Sequence, residues 1–132
     1  MRYFTLEEAE SALPRLKKII PAALEVKHKA QTRMDALAAL EKIDEPDPVQ
    51  LALERAQLEF LAQGLEEILQ GIADIGALLK GLEPTLVDFP SRIDGKEIYL
   101  CWMYDEDHIE YYHALGEGVA GRKPLPNRLI SH

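Results

Sequence analysis

One cysteine, one tryptophan and few aromatic residues (7% of 132) mark this chain before any motif does. With Cys101 alone, no disulfide forms within the chain and no multi-cysteine zinc site exists. Basic charge is also scarce: 15 Lys and Arg stand against 23 Asp and Glu, a formal net charge of −8. The acidic excess lies both before and after Glu83, so no basic block is present to neutralise a phosphate backbone, which argues against nucleic-acid binding. No apolar run reaches 18 residues, and M-R-Y-F-T-L-E-E places an acidic pair where a signal peptide needs its apolar core. The expectation is a cytoplasmic protein with no membrane partner. At 132 residues, with 47% hydrophobic and 29% charged residues, the chain suits one globular domain, 1–132.

The first half carries helical periodicity. T-L-E-E at Thr5–Glu8 is a capping box, in which the Thr5 hydroxyl accepts from the Glu8 N–H and the Glu8 carboxylate reaches back. Leu6, Ala9, Leu13, Leu16, Ile20, Ala23, Lys27, Ala30, Met34 and Leu37 then recur in steps of three and four, a heptad seam with one polar intruder. A helix is expected from about Leu6 to about Glu41, on the order of 50 Å long. Pro14 and Pro21 each lack an N–H and push on the carbonyl four residues back, which predicts a bend or break. D-E-P-D-P, Asp44–Pro48, separates the helices; Asp47 suits the N-cap and Pro48 the first helical position. Leu51, Leu58, Leu61, Leu65, Ile68, Ile72, Ile75, Leu79 and Leu82 form the second seam, so the hairpin is drawn over 1–83. So short a connection makes the helices antiparallel neighbours. Ala12, Ile19, Leu24, Leu40, Phe60, Leu69 and Leu78 widen the apolar stripe beyond what two helices cover, and a second copy is the natural cover.

After Pro84 the period changes to two. L-V-D-F-P (86–90) and E-I-Y-L-C-W-M-Y (97–104) have strand composition, and Asp94-Gly95 favours a two-residue hairpin turn between them. On the second strand Ile98, Leu100 and Trp102 share one face; Tyr99, Cys101 and Met103 share the other. H-I-E-Y-Y-H, His108–His113, returns as a third strand. The fold class expected is α+β, mainly α: a long, coiled-coil-like antiparallel helical hairpin, then a small antiparallel sheet of about three strands and a Gly-rich C-terminal loop. The sheet and loop occupy 84–123, and 124–132 is an extended tail.

G-E-G-V-A-G, Gly116–Gly121, matches the G-x-G-x-x-G pattern of dinucleotide-binding folds. That pattern needs a helix and a second parallel strand after it. Only 11 residues follow, Pro124 and Pro126 among them, so no nucleotide fold is expected. A glycine-rich turn can still cradle an anion with its backbone N–H groups, and Arg122 adds a guanidinium fork for phosphate or carboxylate. The alternative is that these glycines take φ > 0 in a loop and Arg122 pairs with a local acid.

L-V-D-F-P (86–90), D-G-K-E-I-Y-L-C-W (94–102), E-Y-Y-H (110–113) and G-V-A-G-R-K-P-L (118–125) are collinear with motifs of a family of small bacterial proteins. So are F-T-L-E-E-A (4–9) and the L-P pair at 13–14. On these residues the chain resembles the domain of unknown function 2203. The resemblance implies no activity; it implies that Asp88, Phe89, Pro90, Trp102, Glu106, His113, Gly118, Gly121 and Arg122 hold motif positions. Gly116 lies outside the motif. Thr85 stands where the family typically has glycine, and Asp105-Glu106 where it commonly has Gly-Glu.

Two functional readings follow. In the first the protein is a non-catalytic interaction or scaffold protein, a homodimer through the helical hairpin with the sheets at the ends of a four-helix arrangement. In the second it is a small enzyme or binding protein with a site between sheet and glycine loop. Its catalytic candidates are His113, Asp88, Glu106 and Glu110, because a carboxylate beside a histidine begins many hydrolytic and metal sites. Arg122, Gly118, Gly121 and Trp102 are its candidates for binding a small anionic ligand. No metal ligand is assigned beyond His113, and no cofactor is expected. For each residue the competing role is structural: a buried His113 bonded to a carboxylate, a core Trp102, a half-buried inert Cys101. Asp88 and Arg92, four apart, are also placed to pair across a turn.

Overall fold

The computed structural model describes residues 2–130. Two helices, α1 (Leu6–Glu41) and α2 (Pro48–Ile75), precede five strands: β1 (Leu78–Leu82), β2 (Thr85–Ile93), β3 (Lys96–Met103), β4 (Tyr111–Ala114) and β5 (Lys123–Pro124). The sheet is an antiparallel meander in the order β1-β2-β3-β4-β5. Short 3-10 helices occupy Val119–Gly121 and Asn127–Leu129. The chain divides into two compact units, Met1–Ile20 with Ile72–His132, and Pro21–Gly71.

Both helix starts form as their sequences dictate. Thr5 Oγ1 accepts from the Glu8 N–H at 3.1 Å, and Glu8 Oε1 accepts from the Thr5 N–H at 2.9 Å. Asp47 Oδ1 accepts from the Val49 N–H at 2.9 Å, capping α2. Pro14 and Pro21 do not break α1, which runs through both. Each is solvent-exposed, so water can reach the carbonyls they strip of a partner, while buried Leu13, Leu16 and Ile20 hold the opposite face.

Five expectations need correction. The second helix ends at Ile75, not near Leu82, because Gly76 takes φ +97°, a left-handed stop that Arg2 Nη1 reinforces by donating to the Ile75 carbonyl at 3.1 Å. Leu78–Leu82 thereby becomes a strand, and with Lys123–Pro124 the sheet has five strands instead of about three. The first expected strand does not stop at Pro90. β1 pairs only as far as Asp88, so beyond it β2 has no strand partner on that edge and a missing N–H costs no ladder bond. The return strand begins at Tyr111, not His108, and Pro124 and Asn127–Leu129 are structured where an extended tail was expected.

Within the first unit the core lies on one face of the sheet. Val87, Phe89, Ile98, Leu100 and Trp102 are fully buried, as are Phe4, Ala9, Leu13, Leu16 and Ile20 from the chain start and α1, and Ile72 and Ile75 from α2. Phe4 meets Phe89 edge to face at 5.2 Å, and its N–H donates to the Pro90 carbonyl at 2.7 Å. Burying this face aims the other residues of β2, β3 and β4 at the opposite side, where the polar residues gather.

Candidate functional site

Asp94 and Gly95 both take positive φ, +52° and +79°, as a type I′ turn requires. That turn fixes the β2–β3 register, and counting outward equally from it pairs Asp88 with Cys101. On β4, His113 lies opposite Tyr99, two residues along β3 from Cys101 and on the same face. The His113 ring reaches across β3 and places Nε2 2.9 Å from Asp88 Oδ2. Asp88, Cys101 and His113 are 1%, 1% and 3% exposed. One donor atom from each lies within 4.8 Å of the others.

The protons in this cluster follow from its partners. His113 Nδ1 sits 2.9 Å from the Ala114 carbonyl, which can only accept, so Nδ1 carries a hydrogen. The contact between Nε2 and Oδ2 therefore holds a second proton, shared by a pair that is neutral as a unit. Both imidazole nitrogens are engaged, and His113 has none free to act as a base toward Cys101. Burial, and then the Asp88 carboxylate, push the Cys101 thiol up to about 11 against the pull of the Arg122 guanidinium. The thiol is a poor nucleophile.

Arg122 and Glu106 form a second cluster beside the first. Arg122 Nη2 donates to Glu106 Oε1 at 2.6 Å and to the Cys101 carbonyl at 3.1 Å, and Nη1 lies 3.3 Å from Met103 Sδ. Its guanidinium stacks over Tyr111 at 4.1 Å. Burial alone would lower the Arg122 pKa; contact with Glu106 and Cys101 outweighs it, and the net direction is upward. Arg122 Nε is buried with no hydrogen-bond partner among the described residues. Glu106 also accepts from the Met103 N–H at 2.7 Å, and its carbonyl accepts from Trp102 Nε1 at 2.9 Å.

Of the candidate residues, Asp88 and His113 come together as a pair, and Glu106, Arg122 and Trp102 as another group, all in one region. Trp102 is wholly buried and offers no stacking platform. Glu110 is exposed and contributes only its carbonyl, which accepts from the Leu125 N–H at 2.8 Å. Arg92 does not pair with Asp88; it lies 4.0 Å from Glu97 and 4.0 Å from the Tyr3 ring centre.

Gly116, Gly118 and Gly121 have no positive φ, against the loop alternative, although Arg122 does pair with a local acid, Glu106, as that alternative expected. Gly121 is needed for space: a Cβ there would lie 2.7 Å from Glu117 Cβ. Glu117 folds back beneath it, its Oε1 accepting from the Ala114 N–H at 3.0 Å. Cys101 is the cluster member that sequence reasoning left out. The signal was present, because the Asp94-Gly95 turn, counted outward, already sets it opposite Asp88.

The fold and site define a class: a helical hairpin leading into a five-stranded antiparallel meander, one face of which carries a sealed Asp88–Cys101–His113 cluster beside a part-buried Arg122–Glu106 pair. The chain belongs to the family of uncharacterized conserved proteins DUF2203, whose model matches residues 2–125. No curated protein and no solved structure matches it. Among the described residues, no helix is long and apolar enough to cross a membrane.

Proposed function

We propose that the protein is a non-catalytic interaction protein that works as a homodimer, paired through the helical hairpin. The observation that carries this reading is the failure of the hairpin to bury its own apolar residues. Across Pro21–Gly71 only Ala23 is buried; Leu37, Leu51, Leu58, Leu61, Leu65 and Ile68 are only partly covered. Beside that seam, Val49, Leu53 and Phe60 form a stripe along α2 and are 67%, 59% and 76% exposed. Their spacing of four and seven keeps them on one side of the helix. With Met34 and Ile43, also about half exposed, they present roughly 500 Å² of apolar surface per copy, taking about 150–250 Å² for a large side chain. An apolar surface of that size is at the upper end of what a monomer shows and is often functional, and two such faces approach the area of a standard interface.

The occupant that fits is a second copy. Phe60 and Leu53 flank a groove whose far wall is Lys29, Thr32 and Arg33 of α1. The charges there have partners within this chain, Lys29 with Glu25 and Arg33 with Glu54, and the floor between them, Leu53, Ala56, Phe60 and Leu61, is apolar. A two-fold pairing sets one stripe into the other's groove, as in a four-helix arrangement. The sealed network supports the non-catalytic half of the reading, since His113 and Cys101 are not presented to a substrate in solution.

Sedimentation velocity on the full chain at micromolar concentration tests this. A species of twice 14.9 kDa is expected, and the double substitution Leu53→Glu with Phe60→Glu should convert it to monomer with unchanged helicity. A wild-type monomer at that concentration overturns the proposal.

A further inference from the structure

Asp88, Cys101 and His113 are more than a satisfied knot of the core. We propose that they form a binding site for one divalent transition-metal ion of the zinc class. The proposal is independent of the dimer.

The donor set selects the metal. A carboxylate oxygen, a thiolate sulfur and an imidazole nitrogen together suit a borderline ion such as Zn²⁺, whereas Ca²⁺ and Mg²⁺ demand oxygen throughout. Bonds of about 2.0–2.3 Å in a tetrahedral shell put donors roughly 3.3–3.8 Å apart. The three donors here already lie within 4.8 Å of one another, so only side-chain adjustments are needed. They project from three adjacent strands, β2, β3 and β4, whose register is set by a two-residue turn and full pairing, and such elements hold ligands in place.

The outer contact is the one a metal-binding histidine needs. His113 Nδ1 is held by the Ala114 carbonyl, which fixes the tautomer and aims the Nε2 lone pair into the cluster. Charge also balances. Without metal the site holds a neutral thiol and an Asp88–His113 pair that is neutral overall. One divalent ion replaces two protons, the thiol hydrogen and the one between Nε2 and Oδ2, and both leave to solvent. Metal, thiolate, carboxylate and neutral imidazole again sum to zero. A sealed site therefore passes between the two states without burying net charge. The nearby Arg122 charge is cancelled by Glu106 at 2.6 Å.

Because the site is sealed, metal is best supplied while the chain folds. The full-length protein, unfolded with chelator and refolded with Co²⁺, is the test. One equivalent per chain is expected, with a thiolate-to-metal charge-transfer band in the near ultraviolet and the intense visible bands of tetrahedral Co²⁺. Added Zn²⁺ should bleach both. Cys101→Ser should lose the charge-transfer band and bind Co²⁺ at least tenfold more weakly. Should that variant fail to fold, the wild type still decides: Zn²⁺ during refolding must raise its melting temperature above that of the chelated protein. Native helicity with no Co²⁺ uptake, uptake without a charge-transfer band (binding elsewhere), or an unchanged melting temperature each overturn the proposal.

Discussion

The Glu106 carboxylate can be removed without touching the turn that carries it, which makes Glu106→Ala an informative perturbation. Its backbone N–H donates to the Met103 carbonyl at 2.9 Å and its carbonyl serves Trp102, and both contacts survive the substitution. What goes is the acceptor for Arg122 and for the Met103 N–H. A charge-assisted hydrogen bond contributes about 1.5–3 kcal/mol, and an orphaned part-buried N–H costs about 1 kcal/mol where water can reach it. Arg122 and Glu106 are 14% and 22% exposed, so solvent screens the pair and its loss falls short of the ~3–5 kcal/mol for a sealed one. A destabilisation of about 3 kcal/mol is expected. Combined with Arg122→Met in a double-mutant cycle, the coupling should be about 1.5–2 kcal/mol. Urea unfolding at fixed protein concentration measures both, provided the slopes agree. The coupling should also persist at high salt, because a part-buried pair is weakly screened. A coupling below about 0.5 kcal/mol, the level of an ordinary surface pair, would refute the view that Glu106 anchors Arg122.

Two further perturbations test the frame around the site. Gly76→Ala should cost about 1–2 kcal/mol in the same urea assay, since φ is +97° and a Cβ would press on Arg2 Cδ at 3.2 Å and Phe4 Cζ at 3.4 Å. Accepting the Thr5 N–H lowers the Glu8 pKa from its ordinary value. A lowered folded pKa means the stabilisation is complete above the unfolded carboxyl pKa of about 4.3 and fades as pH falls through the folded one. Melting curves from neutral pH into the acid range should therefore decline less steeply for Glu8→Gln than for wild type; equal slopes would count against the capping contact.

Local chemistry was legible wherever a short stretch settles its own geometry. The capping box at Thr5–Glu8, the Asp47 cap and the Asp94-Gly95 turn all form as read, because their hydrogen bonds span two or three residues. The end of α2 was misread for the opposite reason. Leu79 and Leu82 continue the heptad spacing, and only the left-handed stop at Gly76 shows that they belong to β1. Periodicity reports which residues seek burial and is silent on the backbone state that buries them. Lys123–Pro124 escaped notice as a strand because its ladder partner is β4, and nothing within two residues encodes that pairing. The candidate polar residues were found by type and by resemblance, but their division into an Asp88–His113 pair and an Arg122–Glu106 group depends on strand register.

The glycine pattern and the polar network show why register carries more weight here than motif. Gly116, Gly118 and Gly121 match a nucleotide-binding spacing, yet Gly121 serves only to admit Glu117 against it. The residues that matter chemically have no distinctive spacing: Asp88, Cys101 and His113 are 13 and 12 apart. Such separations are what a meander produces when one residue per strand points to the same face. A tight turn forces Asp88 onto Cys101, and β4 pairing then brings His113 over β3. Arg122 joins the face only after the Val119–Gly121 helical turn, where its Nη2 bonds the Cys101 carbonyl and so ties the two groups at one residue. Cys101 thus touches both: its thiol faces Asp88 while its carbonyl accepts from Arg122. A change at either group should reach the other through β3, so loss of the Arg122–Glu106 pair should weaken the Co²⁺ affinity of the proposed Asp88, Cys101 and His113 site even though neither residue supplies a ligand.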